Sequence, residues 1–181
     1  ETANLRELRS KSRVKLVQLI DADALNPDGT LAYVAPYDKP YDWVVSGRQG
    51  TFADLVSPAG LAQVSTYADG IGPWKYYIQS SECKSVSAGA CEDANGDGLV
   101  NEADRTLLPA GDLITRAHAA GLLVHPYTFR NETSRLPLED IENPVNEYLR
   151  FYTLGVDGLF SDFADTAVAA RVMYRLKTQP G

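Results

Sequence analysis

The sequence predicts an α/β fold of parallel strands joined by crossover helices. Three observations carry that expectation. Short apolar runs alternate with helix-like segments along the chain, the pattern that gives parallel pairing. Runs such as VKLVQLI, residues 14–20, are almost continuously apolar, as strands buried on both faces are. Two long polar stretches, residues 21–50 and 80–111, each follow a predicted strand and lead toward a helix.

Residues 2–12 carry Leu5 and Leu8 among charges and predict an exposed helix. Residues 13–20 predict the first strand. Residues 21–50, rich in Asp, Pro, Gly and Tyr, predict a loop, and residues 51–68 a helix broken near Pro58. IGPWKYYIQ, residues 71–79, predicts a strand, followed by the second long loop. Residues 112–121 predict a short helix stopped by Gly121. LLVHPYTFR, residues 122–130, predicts a strand, and residues 131–143 a polar loop. Residues 144–155 predict a helix with Pro144 at its start and Gly155 at its end. VDGLFSDF, residues 156–163, predicts a last strand, and residues 164–177 a last helix. No linker, low-complexity tract or internal repeat divides these elements.

Composition bounds the function. The 181 residues hold 17 Lys plus Arg against 24 Asp plus Glu, a formal charge of −7, with 44% hydrophobic and 23% charged residues. These proportions fit a folded globular chain. The acidic balance argues against a general binder of nucleic acid or anionic membrane. No apolar run reaches the ~18 residues of a transmembrane helix. The chain starts at Glu1 without Met, directly in helix-like sequence, and is expected to be processed or truncated.

Cys83 and Cys91 are the only two cysteines and lie close together in a polar loop. They are either a disulfide closing a short loop or two unrelated thiols. The disulfide is the expectation, and with it an oxidising compartment, periplasmic or secreted.

Residues 93–104, DANGDGLVNEAD, match a twelve-residue EF-hand loop position by position. Asp93, Asn95 and Asp97 stand at positions one, three and five. Gly98 is the sharp-turn residue, Leu99 offers its carbonyl, Asn101 is at nine and Asp104 at twelve. Oxygen ligands at alternating positions can wrap one hard cation. Glu92, Asp93, Asp97, Glu102 and Asp104 otherwise repel one another. Asp rather than a bidentate Glu at position twelve points to a structural Ca2+ rather than a switch. The alternative is a solvated acidic loop. The pattern also resembles one dockerin loop, but dockerins carry two. The loop is expected to be inserted in a larger fold.

The C-terminal third carries a resemblance. AHAAGLLVHPYTFRNE, residues 117–132, and EYLRFYTLGVDGLFSDFADTA, residues 147–167, are similar to the end of the glycerophosphodiester phosphodiesterase family. Gly121, Leu122, Tyr127 and Thr128, then Gly155 to Gly158, Ser161 and Asp162, fall on its strand-end motifs. YADGIGPWK, residues 67–75, and the opening ETANLRELR resemble the long bacterial, often periplasmic branch. The resemblance implies a TIM-type (β/α)8 barrel, of which residues 1–181 would hold the C-terminal half, strands five to eight. It also implies hydrolysis of glycerophosphodiesters to glycerol 3-phosphate and an alcohol, with a divalent metal at the active site. The family's catalytic apparatus is a His-Arg-Gly motif, a Glu-x-Asp metal pair with a His close behind, and a Glu-Ile-Lys-like motif. It lies mostly in the first four strands, and none of these motifs occurs here. No catalytic residue is therefore assigned to this chain. Physics adds to the same expectation, because four strands leave two open edges and half a barrel core uncovered. The chain is expected to be an inactive fragment, completed by a missing N-terminal half or by self-association.

Five residues are expected to bind substrate. Lys75, in an apolar strand, suits a phosphate-facing cation. Tyr127 stands at the family's aromatic position at the barrel mouth. Arg130 ends the same strand and could reach a phosphate or a glycerol hydroxyl, or form a loop salt bridge. Gln18 is a polar residue inside an apolar strand, lining the pocket or bonding across the core. Phe160 aligns with an apolar residue near substrate. His125, Tyr127 and Phe129 are expected on one strand face, and Asp162 as a helix cap. The rival function is a calcium-dependent binding or scaffold module without activity.

Overall fold

A computed structural model describes residues 1–178. Among the described residues there are seven α-helices: α1 (Thr2–Lys11), α2 (Tyr41–Ser46), α3 (Phe52–Leu55), α4 (Pro58–Val64), α5 (Leu113–Ala119), α6 (Val145–Leu154) and α7 (Ala164–Thr178). The strands are β1 (Val17–Ile20), β2 (Ala24–Leu25), β3 (Leu31–Ala32), β4 (Gly70–Pro73), β5 (Ser81–Cys83), β6 (Val86–Ser87), β7 (Ala90–Cys91), β8 (Arg105–Leu107) and β9 (Leu123–Val124).

The framework is a parallel sheet in chain order, β1–β4–β9. Val17 pairs with Gly70, and Gly70 with Leu123. Parallel bridges extend the pairing at Trp74–Tyr127 and carry it on to Phe129–Ser161. The segment 156–163 forms only that bridge, so the expected fourth strand is a corrected element. Its GVDG start turns through Gly155, which sits at φ 104° and ends α6 in the left-handed region.

Alternation along the strands sends side chains to two faces. Gln18, Ile20, Ile71 and Val124 face the helices and are all buried. They join a core with Leu61, Val64, Leu113, Phe129, Tyr148 and Phe151. The aromatic centre is Phe129, whose ring lies 4.9 Å from Phe151 and 5.1 Å from Tyr148. On the other face lie Val17, Leu19 and Leu123, which pass over Gly70 and Gly72. A Cβ on Gly72 would come within 2.7 Å of Leu19, and one on Gly70 within 3.1 Å of the Leu123 Cβ. This face is open: Leu19 is 53% and Leu123 44% exposed.

Local capping explains the helix ends. Thr51 and Asp54 form a reciprocal capping box at α3, and Ser57 caps α4 with Pro58 in its first turn. α1 is fastened by Asp69, which accepts from Leu16 N–H and pairs with Arg9 and Lys15. Those donors hold the Asp69 carboxyl down at about 2.

The long loops have more structure than the sequence predicts. Residues 21–50 hold the β2–β3 hairpin and α2, and residues 80–111 hold an antiparallel ribbon of β5 with β8 and β6 with β7. Runs of two or three residues are too short to show period-two alternation. Cys83 and Cys91 form the expected disulfide. Arg105, 6% exposed, donates to both sulfurs, to Ser81 and to the Asn26 carbonyl, locking the ribbon to the first loop.

Candidate functional site

The C-terminal ends of the parallel strands converge on one cavity of about 250 Å3. Its wall takes Asp21 from the end of β1, Trp74 and Lys75 from beyond β4, and Tyr127, Thr128 and Arg130 from beyond β9. Glu102 and Arg135 close it from the loops. Loops after parallel strands are where such folds place chemistry.

Tyr127 stands where expected. Its hydroxyl donates to the Ile20 carbonyl at 3.1 Å, and its backbone N–H donates to Pro73. Burial, then the Asp21 carboxylate, raises its pKa, so the hydroxyl stays protonated; its one proton is held by the Ile20 carbonyl, and its oxygen is left to accept from a substrate hydroxyl. A second chain of hydroxyls braces the same corner: Tyr33 donates to Tyr77 at 2.9 Å and Tyr77 to the Asp21 carbonyl at 2.6 Å.

Lys75 corrects the sequence reading. The strand ends at Pro73, and residues 75–77 form a 3-10 turn. The Lys75 ammonium is buried and bonds Glu147 at 2.7 Å and the Arg135 carbonyl at 3.3 Å. A cation already paired in the core is not a free phosphate ligand. It instead ties the end of β4 to α6. Glu147 has its other carboxylate oxygen unpartnered, and burial raises its pKa despite Lys75.

Arg130 lines the cavity and forms the loop salt bridge, the second of its two expected roles. Glu132 receives two of its nitrogens, at 3.1 and 2.6 Å, and Asp162 a third at 2.8 Å. The Arg130 guanidinium in turn holds the Glu132 carboxyl down at about 2. Asp162 is thus an ion-pair partner of Arg130; the side chain that bonds the start of α7 is Ser161, which accepts from Phe163 N–H.

Gln18 and Phe160 stand outside this cavity. Gln18 faces the helices, 1% exposed, accepting from the Tyr67 hydroxyl at 3.1 Å and donating to the Leu19 carbonyl. Its polarity is satisfied inside the core, the second of the two expected roles. Phe160 lies 44% exposed beside His125, ring centroids 6.3 Å apart. His125 and Phe129 do not share a face as expected, since Phe129 is fully buried among the helices.

The loop 93–104 is folded by its own side chains. Asp93 accepts from Gly96 and Gly98, Asn95 from Asp97, and Asp97 from Leu99. Asp104 is fully buried and accepts from Ala94, Asn95 and Asn101. Burial alone would raise its pKa, but these three backbone donors outweigh that and lower it. Among the described residues, no three His, Cys, Asp or Glu side chains gather closely enough to hold a metal.

Sequence reasoning missed Asp21, Trp74, Glu102 and Arg135 in the cavity wall. Asp21 and Trp74 were within reach of it, because each is the first residue after a buried strand. Glu102 and Arg135 come from loops whose course no periodicity marks.

Residues 39–166 match the sequence model of the Glycerophosphoryl diester phosphodiesterase family. The chain belongs to that family. It is 38% identical over 114 residues to glycerophosphodiester phosphodiesterase GDPD6 of Arabidopsis thaliana, covering 62% of this chain and 25% of the relative. It is 27% identical over 161 residues to the glycerophosphodiester phosphodiesterase of Haemophilus influenzae, covering 86% of this chain and 34% of that protein. A third relative, glycerophosphodiester phosphodiesterase GDPDL1 of Arabidopsis thaliana, is 32% identical over 123 residues. The matched region thus spans between 13% and 34% of the curated relatives' own length. No described helix is long and apolar enough to cross a membrane.

Proposed function

We propose that residues 1–181 are the C-terminal half of a TIM-type barrel in a phosphodiesterase that hydrolyses glycerophosphodiesters to glycerol 3-phosphate and an alcohol. Family membership supports the chemistry. The open apolar face of the sheet carries the half-barrel reading, because a barrel interior is filled by side chains from strands all around the ring. Leu19, Leu123 and Phe160 are 44–53% exposed there. The last helix supports it too: Val168, Val172 and Leu176, one face of α7, are 49–77% exposed. These surfaces suit the four strands of a first barrel half; self-association is the other occupant, and sedimentation of the isolated chain separates the two.

In the reaction, water adds to phosphorus and the bond from phosphorus to the alcohol oxygen breaks. The alcohol leaves with a proton, and glycerol 3-phosphate remains. This half contributes a wall. Arg130, held by Glu132 and Asp162, lines the cavity and would meet a phosphate only by releasing one of those carboxylates, and the Tyr127 hydroxyl oxygen can accept from a glycerol hydroxyl. The cavity wall holds only two carboxylates, Asp21 and Glu102, so no step is assigned to a metal. The divalent ion and the acid and base that the family uses belong, in this proposal, to the first half. The test is release of glycerol 3-phosphate from a glycerophosphodiester. Residues 1–181 alone should release none, and the same residues joined to the first half should be active and lose activity to a chelator. Turnover by 1–181 alone would overturn the fragment reading, and an inert complete protein would overturn the activity.

We also propose Ca2+ at residues 93–104, with oxygens from Asp93, Asn95, Asp97, Leu99, Asn101 and Asp104. The chain turn at Gly98, φ 86°, and the successive side-chain-to-backbone turns support it. Binding to the folded state would raise the melting temperature on calcium addition and lower it on chelation. An unchanged melt in both would remove the ion. The disulfide supports a periplasmic or secreted protein, which fractionation of the native source would test.

A further inference from the structure

A second cavity, of about 430 Å3, adjoins the first and shares Trp74, Glu102 and Arg135 with it. The ribbon and its loop build one side, through Cys91, Val100, Asn101, Glu102 and Arg105. Trp74 and Tyr76 form a fixed aromatic corner, centroids 4.7 Å apart at 86°. Two polar groups in this wall have no partner. Tyr76 is 6% exposed and its hydroxyl lies toward the Glu102 carboxylate without completing a well-formed hydrogen bond to it, although buried hydroxyls are almost always satisfied. The Asn101 amide nitrogen is also unpartnered, while its oxygen caps Ala103.

We propose that this cavity is the subsite for the alcohol half of the diester, and that it takes a polyhydroxylated alcohol of inositol size. The proposal rests on the phosphodiesterase reading above. A hydroxyl-rich ring would satisfy the Tyr76 hydroxyl and the Asn101 amide and lay its C–H face on Trp74. A quaternary ammonium headgroup would satisfy neither. Charge argues the same way, since one carboxylate, Glu102, faces two guanidiniums. Arg105 spends its donors inside the ribbon, but Arg135 is only loosely paired, 3.8 Å from Glu102 and 59% exposed. It remains a donor for a ligand hydroxyl.

The test compares kcat/KM for glycerophosphoinositol and glycerophosphocholine, using the protein that carries both barrel halves. The inositol diester should be preferred by about tenfold or more. Tyr76→Phe should lower its kcat/KM by roughly 3- to 10-fold, the size of one lost hydrogen bond, and that of the choline diester by less. Val100→Trp, at the exposed cavity rim, should raise KM for the inositol diester and serves if Tyr76→Phe folds poorly. Equal preference, or equal loss for both substrates in both variants, would overturn the subsite while leaving the activity standing. Failure to hydrolyse either diester would overturn the activity and the subsite with it.

Discussion

The two faces of the β1–β4–β9 sheet are made from the same strands and have opposite fates. On the helix side Ile20, Ile71 and Val124 are fully buried. One residue away, Leu19 and Leu123 are half in water. The period-two pattern of a strand read as continuously apolar therefore predicts two buried faces, and only one is covered by the residues described. A glycine at each of positions 70 and 72 lets neighbouring side chains settle over β4, which narrows the open face without closing it.

The largest expected effect lies on the covered side. Phe129→Ala should cost about 3–5 kcal/mol in urea unfolding, because it opens a cavity against Tyr148 and Phe151. Leu19→Ala should cost under ~1 kcal/mol in residues 1–181, but more once a first half covers the sheet. Equal costs for the two in the isolated chain would erase the contrast between faces. Glu147→Ala should rank beside Phe129→Ala, at about 3–5 kcal/mol, since it strands the buried Lys75 ammonium. The double replacement Lys75→Met with Glu147→Leu should recover much of that loss. Next comes the disulfide. Cys83→Ser with Cys91→Ser frees a short loop and should lower stability by about 2.5 kcal/mol, with the loss confined to the ribbon in hydrogen exchange.

The smallest effect is an acid one. The Asp69 pKa is depressed in the folded chain to about 2. Its contribution to stability is therefore complete above the ordinary carboxylate value and lost as pH falls from about 4 toward 2. Asp69→Asn should lower stability at neutral pH by a small amount, small because the partners Arg9 and Lys15 are partly or largely exposed, and should match the unsubstituted chain once the pH falls below that window. An unaltered acid profile would show that α1 is held by packing instead.

What was legible in the sequence follows the length of each physical signal. Helices α1, α6 and α7 announced themselves by composition, Pro144 and Gly155. The breaker Pro58 located the junction of α3 and α4. The apolar runs 13–20, 71–79 and 122–130 marked three strands but overran them, since the strands span only 17–20, 70–73 and 123–124, and VDGLFSDF was not a strand, because its glycines and polar ends leave a single bridge. In the site, Tyr127 and Arg130 were found from strand ends. Lys75 was read inside a strand that in fact ends at Pro73, and its partner was missed, since Glu147 is 72 residues away and nothing local marks it. Gln18 was seen as anomalous, and the side of the sheet it faces decided between its two roles.

The loop ribbon has a wider consequence. Cys83 N–H donates to the Pro27 carbonyl, and Leu138 N–H to the Arg105 carbonyl. Segments that follow three different strands are thereby laced into one collar around the mouth. Such a collar would resist sampling by a single loop, so selectivity would change when the collar is rebuilt as a unit rather than by drift in one side chain.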